Sequence, residues 1–143
     1  MFFGTHTLRM DEKGRVALPA RFRERLVDGL VVVKSQDACL AVYPKVDFEG
    51  IGNALRAVPA TGRKVRGYQR MLYGSADDPI PDKQGRVVIT RDLRRYAGLE
   101  QDCVAVGAND HFEIWASGAW ESFLAENEPE FAAMEEGVVP GVL

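Results

Sequence analysis

An α+β fold, rich in β-structure and built from two copies of one module, is the class this sequence predicts. Three observations point to it. First, Asp11-Glu12-Lys13-Gly14-Arg15-Val16-Ala17-Leu18 returns as Asp82-Lys83-Gln84-Gly85-Arg86-Val87-Val88-Ile89. Second, each copy leads into a short helical pattern and then into a hairpin of β-branched residues. Third, each hairpin is followed by an apolar helix face, Phe48, Ile51 and Leu55 in one case, Trp120, Phe123 and Leu124 in the other.

In the first copy, Thr5–Met10 alternates apolar Leu8 and Met10 with polar Thr7 and Arg9, the period of a half-buried strand. Gly14 permits a tight reversal, and Val16-Ala17-Leu18 is expected to run back as the returning strand. Pro19 suits a helix start, Phe22 and Leu26 give that helix one apolar side, and Gly29 stops it. Leu30–Lys34 and Cys39–Tyr43 read as paired strands around Ser35-Gln36-Asp37, with Pro44 ending the second. The helix carrying Phe48, Ile51 and Leu55 follows, weakened by Gly50 and Gly52. Val58-Pro59-Ala60-Thr61-Gly62 is the best linker. A basic helix comes next, with Val65, Tyr68 and Leu72 on one stripe and Arg63, Arg66 and Arg70 on another. That basic stripe is expected to face solvent or a neighbouring subunit.

The second copy repeats the plan. Tyr73-Gly74-Ser75 echoes Phe3-Gly4-Thr5, and Asp77-Asp78-Pro79-Ile80-Pro81 leads into the second motif. Thr90 is an expected N-cap for a helix over 91–97, with Gly98 as its stop. Leu93 takes the place of Phe22 in the register of the motifs, and Arg94 that of Arg23. Strands at Cys103–Val106 and Phe112–Trp115 flank a turn at Gly107–Asp110. The expected segments are a first repeat at 5–47, a helical connector at 48–75, a second repeat at 76–119, and a C-terminal helix and tail at 120–143. From about Ala125 the composition turns Glu-rich, which predicts a disordered or loosely docked tail.

With 143 residues, 46% of them hydrophobic, the chain can bury a core as one domain or as two intertwined halves. No apolar run is long enough to cross a bilayer, and the N-terminus lacks the basic start and apolar stretch of a signal peptide. A cytoplasmic location with no membrane partner is expected. Cys39 and Cys103 read as buried thiols of a reducing compartment.

The net charge of −3 conceals an asymmetry. All 18 Lys and Arg lie in residues 1–95 with 11 acids, a balance of +7, while residues 96–143 carry 10 acids and no Lys or Arg. A basic body with an acidic end admits a polyanionic partner despite an overall pI of 5.4.

Catalytic and cofactor motifs are absent: there is no Gly-x-Ser-x-Gly, Gly-x-x-x-x-Gly-Lys or His-Glu-x-x-His. His6 and His111 have no Cys or second His at metal-ligand spacing. No enzyme activity, cofactor or metal is therefore expected. A carboxylate site made from Asp77, Asp78 and Asp82 is the weaker competing reading, because those acids adjoin Pro-rich turns.

The motif itself suits DNA. A Gly-Arg turn sets a guanidinium on a rigid base facing solvent, where it can donate two parallel hydrogen bonds to guanine O6 and N7 or bind a phosphate. Asp11 and Asp82, four residues before Arg15 and Arg86, can hold each guanidinium in one orientation across the turns at Gly14 and Gly85. Lys13 and Lys83 can add phosphate contacts, which give affinity without sequence information. The plainer alternative is a salt bridge that only fixes the turn, worth about 0–1 kcal/mol if exposed.

Met1-Phe2-Phe3-Gly4, followed by Leu8-x-Met10-Asp11-x-Lys13-Gly14-Arg15-Val16-x-Leu18-Pro19-x-Arg21-Phe22-Arg23, resembles the start of the MraZ family of bacterial transcriptional regulators. Tyr73-Gly74-Ser75 and Asp82-x-x-Gly85-Arg86-Val87-x-Ile89 resemble the start of its second repeat. The resemblance implies two SpoVT-AbrB-type repeats joined as a β-rich, pseudo-twofold barrel with short flanking helices. It implies a ring-shaped homo-oligomer, octamer-like, that binds double-stranded DNA at direct repeats upstream of the division and cell-wall gene cluster and associates with the nucleoid. It carries a DNA-contacting role onto Arg15 and Arg86, and the paired acid onto Asp11 and Asp82. The acidic tail departs from the pattern and inherits nothing. A second reading stays open: an antitoxin-like protein of the same fold that binds a toxin as well as DNA.

Overall fold

The computed structural model describes all residues 1–143. Seven strands and five helices follow in order: β1 (Thr5–Arg9), β2 (Arg15–Ala17), α1 (Ala20–Arg23), β3 (Leu30–Ser35), β4 (Cys39–Pro44), α2 (Lys45–Arg56), α3 (Arg63–Ser75), β5 (Arg86–Val88), α4 (Arg91–Ala97), β6 (Asp102–Gly107), β7 (Phe112–Ala116) and α5 (Ser117–Ala133). The architecture is a mixed α+β fold around a five-stranded antiparallel sheet of order β1-β6-β7-β4-β3. A separate two-stranded ribbon joins β2 to β5.

The sheet is covered on both sides, which is why its central strands read as unbroken apolar runs. Leu30, Val32, Leu40, Val42, Cys103, Ala105, Phe112 and Ile114 face one layer, with Val16 and Val87 of the ribbon, Phe22 of α1 and Leu93 of α4. The alternate residues face the other side: Val31, Val33 and Ala41 meet α2 and α3, while Val104 and Trp115 meet Trp120 and Phe123 of α5. Period-two alternation sends neighbouring residues to opposite faces, so both faces must be apolar. Phe2, Phe22 and Phe112 pack together with ring centroids 4.7 to 5.3 Å apart, drawing the N-terminus, α1 and β7 into the main core.

Register shows how the halves interlock. β4 and β7, the return strands of the two hairpins, pair with each other at the centre of the sheet. β1 pairs with β6 from the other half. The counterpart of β1 in the second half is a single bridge, in which Asp77 exchanges backbone hydrogen bonds of 2.8 and 2.9 Å with Val32 on the edge of β3. The buried Ser75 hydroxyl extends that cover by accepting from the Lys34 N–H at 3.0 Å. One outer edge of the sheet is thus capped rather than left open to further pairing.

Three expectations need correction. Val16-Ala17-Leu18 does not return along β1: only Met10 and Val16 bridge, and the strand then pairs with β5. A local turn signal places the reversal but not the partner of the strand behind it. Tyr73-Gly74-Ser75 is the last turn of α3, whereas Gly4 sits in a bend at φ +85°, so the sequence echo joins different structures. Of the two expectations for the acidic tail, disorder from Ala125 does not hold, because α5 continues to Ala133 through Pro129, while residues 128–143 are all exposed, as a loosely docked segment would be. Ala and Glu are strong helix formers there, and the Asn127 side chain donates to the Phe123 carbonyl at 2.8 Å. In α3 only Leu72 of its apolar stripe is buried, while Tyr68 is 44% exposed. No helix is long and apolar enough to cross a membrane.

Candidate nucleic-acid interface

Each motif folds into the same hydrogen-bonded turn. Asp11 Oδ1 accepts from the backbone N–H groups of Arg15 at 2.8 Å and Lys13 at 3.0 Å, while Oδ2 accepts from Arg15 Nε at 2.6 Å. In the second motif Asp82 Oδ1 accepts from the N–H groups of Arg86 and Gln84, each at 2.9 Å, and Oδ2 from Arg86 Nε at 2.8 Å. An Asp at the start of a turn can satisfy backbone donors two and four residues on, which few other side chains are short enough to do. Gly14 and Gly85 take φ of +81° and +75°, the left-handed conformation that penalises any side chain.

The geometry also fixes the arginines. Each carboxylate engages Nε and leaves the terminal Nη groups at the far end of the fork. Those two donors are the pair that meets guanine O6 and N7, or two phosphate oxygens. In the second turn Arg86 Nη2 also donates to Gln84 Oε1 at 3.0 Å. The backbone N–H of Arg15 is the largest influence holding the Asp11 carboxyl below the usual carboxylate range, and the N–H of Arg86 does the same for Asp82. Both carboxylates are therefore ionised at neutral pH and keep their charge partners oriented.

Pairing of β2 with β5 turns two separate tips into one surface. Val16 and Val87 point inward and are buried, so Arg15, Ala17, Arg86 and Val88 share the outer face of the ribbon. Arg15 lies opposite Val88 and Arg86 opposite Ala17. Two residues of rise and one strand spacing put the arginine Cα atoms about 8 Å apart. Lys13 and Lys83 are exposed on the flanking turns.

Two further arginines complete the surface, and they cross between halves. Arg23, at the end of α1, lies against Gly85 and donates to the Gln84 carbonyl at 3.2 Å. Arg94, on α4, lies over Gly14, where a methyl group would come within 2.9 Å of its Nη1. The Arg94 Nε is buried without a hydrogen-bond partner. Sequence reasoning placed Arg23 and Arg94 in matching register but gave them no role. The available signal was their spacing, each eight residues beyond its motif arginine.

The remaining candidates disperse. Asp77 is tied into backbone pairing with Val32, Asp78 lies 3.6 Å from Lys45, and Asp82 is committed to its turn, so the three form no carboxylate site. His6 packs on Phe22 and His111 on Tyr43. Burial raises the thiol pKa of both cysteines, that of Cys103 to about 11, leaving them protonated at neutral pH. The basic stripe of α3 lies in the layer on the opposite side of the sheet from the ribbon.

Comparison with known proteins places this geometry in a family. A family model described as "MraZ protein, putative antitoxin-like" matches residues 1–70 and again 72–139. A protein of Salinispora tropica named transcriptional regulator MraZ is 53% identical over 142 residues, covering 99% of this chain and 100% of that one. Proteins of the same name from Thermobifida fusca and Parafrankia sp. are 52% and 50% identical, each over 143 residues and the full length of both chains. The chain belongs to the MraZ family.

Proposed function

We propose that this chain is a sequence-specific regulator of transcription that reads double-stranded DNA with Arg15 and Arg86. The observation that carries the reading is the shared outer face of the β2–β5 ribbon, with both arginines held at Nε by Asp11 and Asp82. A two-stranded ribbon fits the major groove, and a guanidinium already oriented loses less entropy on contact than a free one. Lys13 and Lys83, with Arg23 and Arg94 beside the turns, supply phosphate contacts. The names of the full-length relatives support the same role.

In this reading the two repeats, 5–47 and 76–119, form one pseudo-twofold, barrel-like unit whose role is binding rather than catalysis. Several units assemble into an octamer-like ring on direct repeats upstream of the division and cell-wall genes, in the cytoplasm and on the nucleoid. A ring strengthens weak individual contacts, since each later one forms at high effective concentration.

The test is binding of the full chain to its own upstream DNA against scrambled DNA, titrated with salt. Arg15→Ala or Arg86→Ala is expected to abolish preference for the upstream DNA while assembly mass stays constant. Unchanged preference in both variants overturns the assignment. A steep salt slope with no sequence preference reduces it to phosphate contact.

A second reading, an antitoxin-like partner of a toxin, draws on the exposed Phe131 and Met134 of the C-terminal segment. Stoichiometric co-purification of a small nuclease would favour it.

A further inference from the structure

Most of the excess positive charge lies away from the ribbon. Residues 50–76 carry Arg56, Arg63, Lys64, Arg66 and Arg70 and no acid, which makes up five of the seven net positive charges of residues 1–95. None of these five forms an ion pair, whereas Arg15 and Arg86 are each matched by an aspartate. Four of the five stand on α3, on the opposite side of the sheet from the ribbon.

Helix stability does not account for this face. Arg63 and Lys64 occupy the first turn of α3, where cations oppose the helix dipole and no acid offsets them. Arg63, Arg66 and Arg70 follow at intervals of three and four residues, a spacing at which like charges repel. Leu72 marks the buried side of α3, and helical periodicity sets the three arginines opposite it. Arg66 is held in place by the carbonyls of Thr61 and Ala60, to which its Nη1 donates at 2.6 and 3.1 Å. Gly67 and Gly74 fall on the same outer side, and a methyl group on either would meet nothing within 4 Å. Glycine weakens a helix, so these two add to the cost. The surface between the arginines is bare backbone, without the aromatic or Met anchors found at the centre of a protein interface.

We propose that the outer face of α3 binds the phosphate backbone of a second segment of duplex DNA, without regard to its sequence. Seven residues of helical rise separate Arg63 from Arg70 by about 10 Å. Over that length one strand of duplex DNA presents about three phosphates. The sheet stands between the ribbon and α3, so a straight duplex read by Arg15 and Arg86 does not reach this face. The segment it holds is therefore a different one. That the polyanion is DNA rests on the proposed reading by the ribbon; the placement of the charge does not.

The test compares the full chain with a variant carrying Arg63→Gln, Lys64→Gln and Arg70→Gln, all at exposed positions. The variant is expected to keep the wild-type circular dichroism spectrum and the wild-type preference for upstream over scrambled DNA. Its slope of log affinity against log salt on scrambled DNA is expected to flatten by about 2–3, nearly one for each lost phosphate contact. Arg70→Gln alone is expected to flatten it by about 1, and serves if the triple variant misfolds. Wild-type protein on bead-tethered upstream DNA is expected to capture a labelled scrambled duplex, and the variant to lose that capture. An unchanged slope overturns the proposal, as does capture that is absent in the wild type or undiminished in the variant. Loss of upstream preference would make α3 part of the reading surface, and a changed assembly mass by light scattering would make it a subunit contact; either result also overturns the proposal. Single-stranded RNA that displaces the captured duplex at lower concentration than unlabelled duplex overturns the choice of partner. Arg15→Ala protein is expected to lose upstream preference yet bind scrambled DNA with a steep salt slope, so failure of the ribbon reading and failure of this proposal give different results.

Discussion

Around Gly14, a side chain would meet the Ile89 carbonyl at 2.9 Å as well as the Arg94 guanidinium. Around Gly85 its three nearest neighbours all belong to the Arg23 side chain. The first turn has a buried glycine, a half-buried crossing arginine, and a backbone bond from Ile89 N–H to the Gly14 carbonyl at 2.9 Å. The second is more open, and its crossing arginine is exposed. Two turns that share the same Asp hydrogen bonds therefore sit on different foundations, one braced by main chain and a half-buried arginine and the other by an exposed arginine alone. Duplicated sequence repeats the local chemistry; tertiary surroundings decide how firmly each copy is held.

The largest expected contrast lies beneath the turns, where Phe22 and Leu93 occupy equivalent sites. Phe22→Ala opens a cavity among Phe2, His6 and Phe112 and is expected to cost about 3–5 kcal/mol, whereas Leu93→Ala is expected to cost about 2–5 and to be the milder of the two. Urea denaturation of the two variants measures it. A costlier Leu93→Ala would reverse the ranking of the two supports.

Next come the glycines. Either substitution by Ala forces a side chain into the left-handed region, which costs about 1–3 kcal/mol. Gly85→Ala needs only the exposed Arg23 side chain to move aside and is expected to fall at the lower end. Gly14→Ala also crowds a backbone carbonyl and is expected to exceed it. Equal urea midpoints for the two would erase the distinction drawn between main-chain and side-chain bracing.

The smallest contrast is in acid. Asp11 and Asp82 have folded pKa values below the unfolded value of about 3.9. Their contribution is thus complete above the unfolded pKa and lost as pH falls through the depressed folded value. Asp11→Asn and Asp82→Asn should each flatten the acid limb of the stability profile slightly, since both carboxylates are solvent-accessible. Thermal melts from pH 6 down to pH 2 follow it, and an unaltered acid limb in both variants would remove these carboxylates from the acid response.

Much of this was legible before the structure. The Thr90 cap, the helix Arg91–Ala97 and the Gly98 stop stand where periodicity and capping chemistry put them. The same holds for both hairpins and the helix carrying Phe48, Ile51 and Leu55. Such features depend on residues close in sequence. Pairing of Val16 with Val87 does not, and neither does the placement of Arg23 over Gly85 or Arg94 over Gly14. Nothing local marks which distant strand completes a ribbon. The Asp–Arg pairs were legible as turn chemistry, but their meeting on one face was a property of the fold. The acidic stretch misled because composition was read for charge, while the continuing stripe to Phe131 was the stronger message.

The crossed ribbon has a consequence for synthesis. Val16 and its partner Val87 are about 70 residues apart, and β4 pairs with a β7 later still. At roughly 5–20 residues per second, the first half leaves the ribosome several seconds before its partners exist. During that interval Val16, Leu40 and Val42 have no completed layer above them, and the β4 edge has no neighbour on its far side. Distant pairings of this kind slow folding as a class. The interlocked halves that present both arginines together thus leave the nascent chain with a delay, during which the apolar strands of its first half stay uncovered.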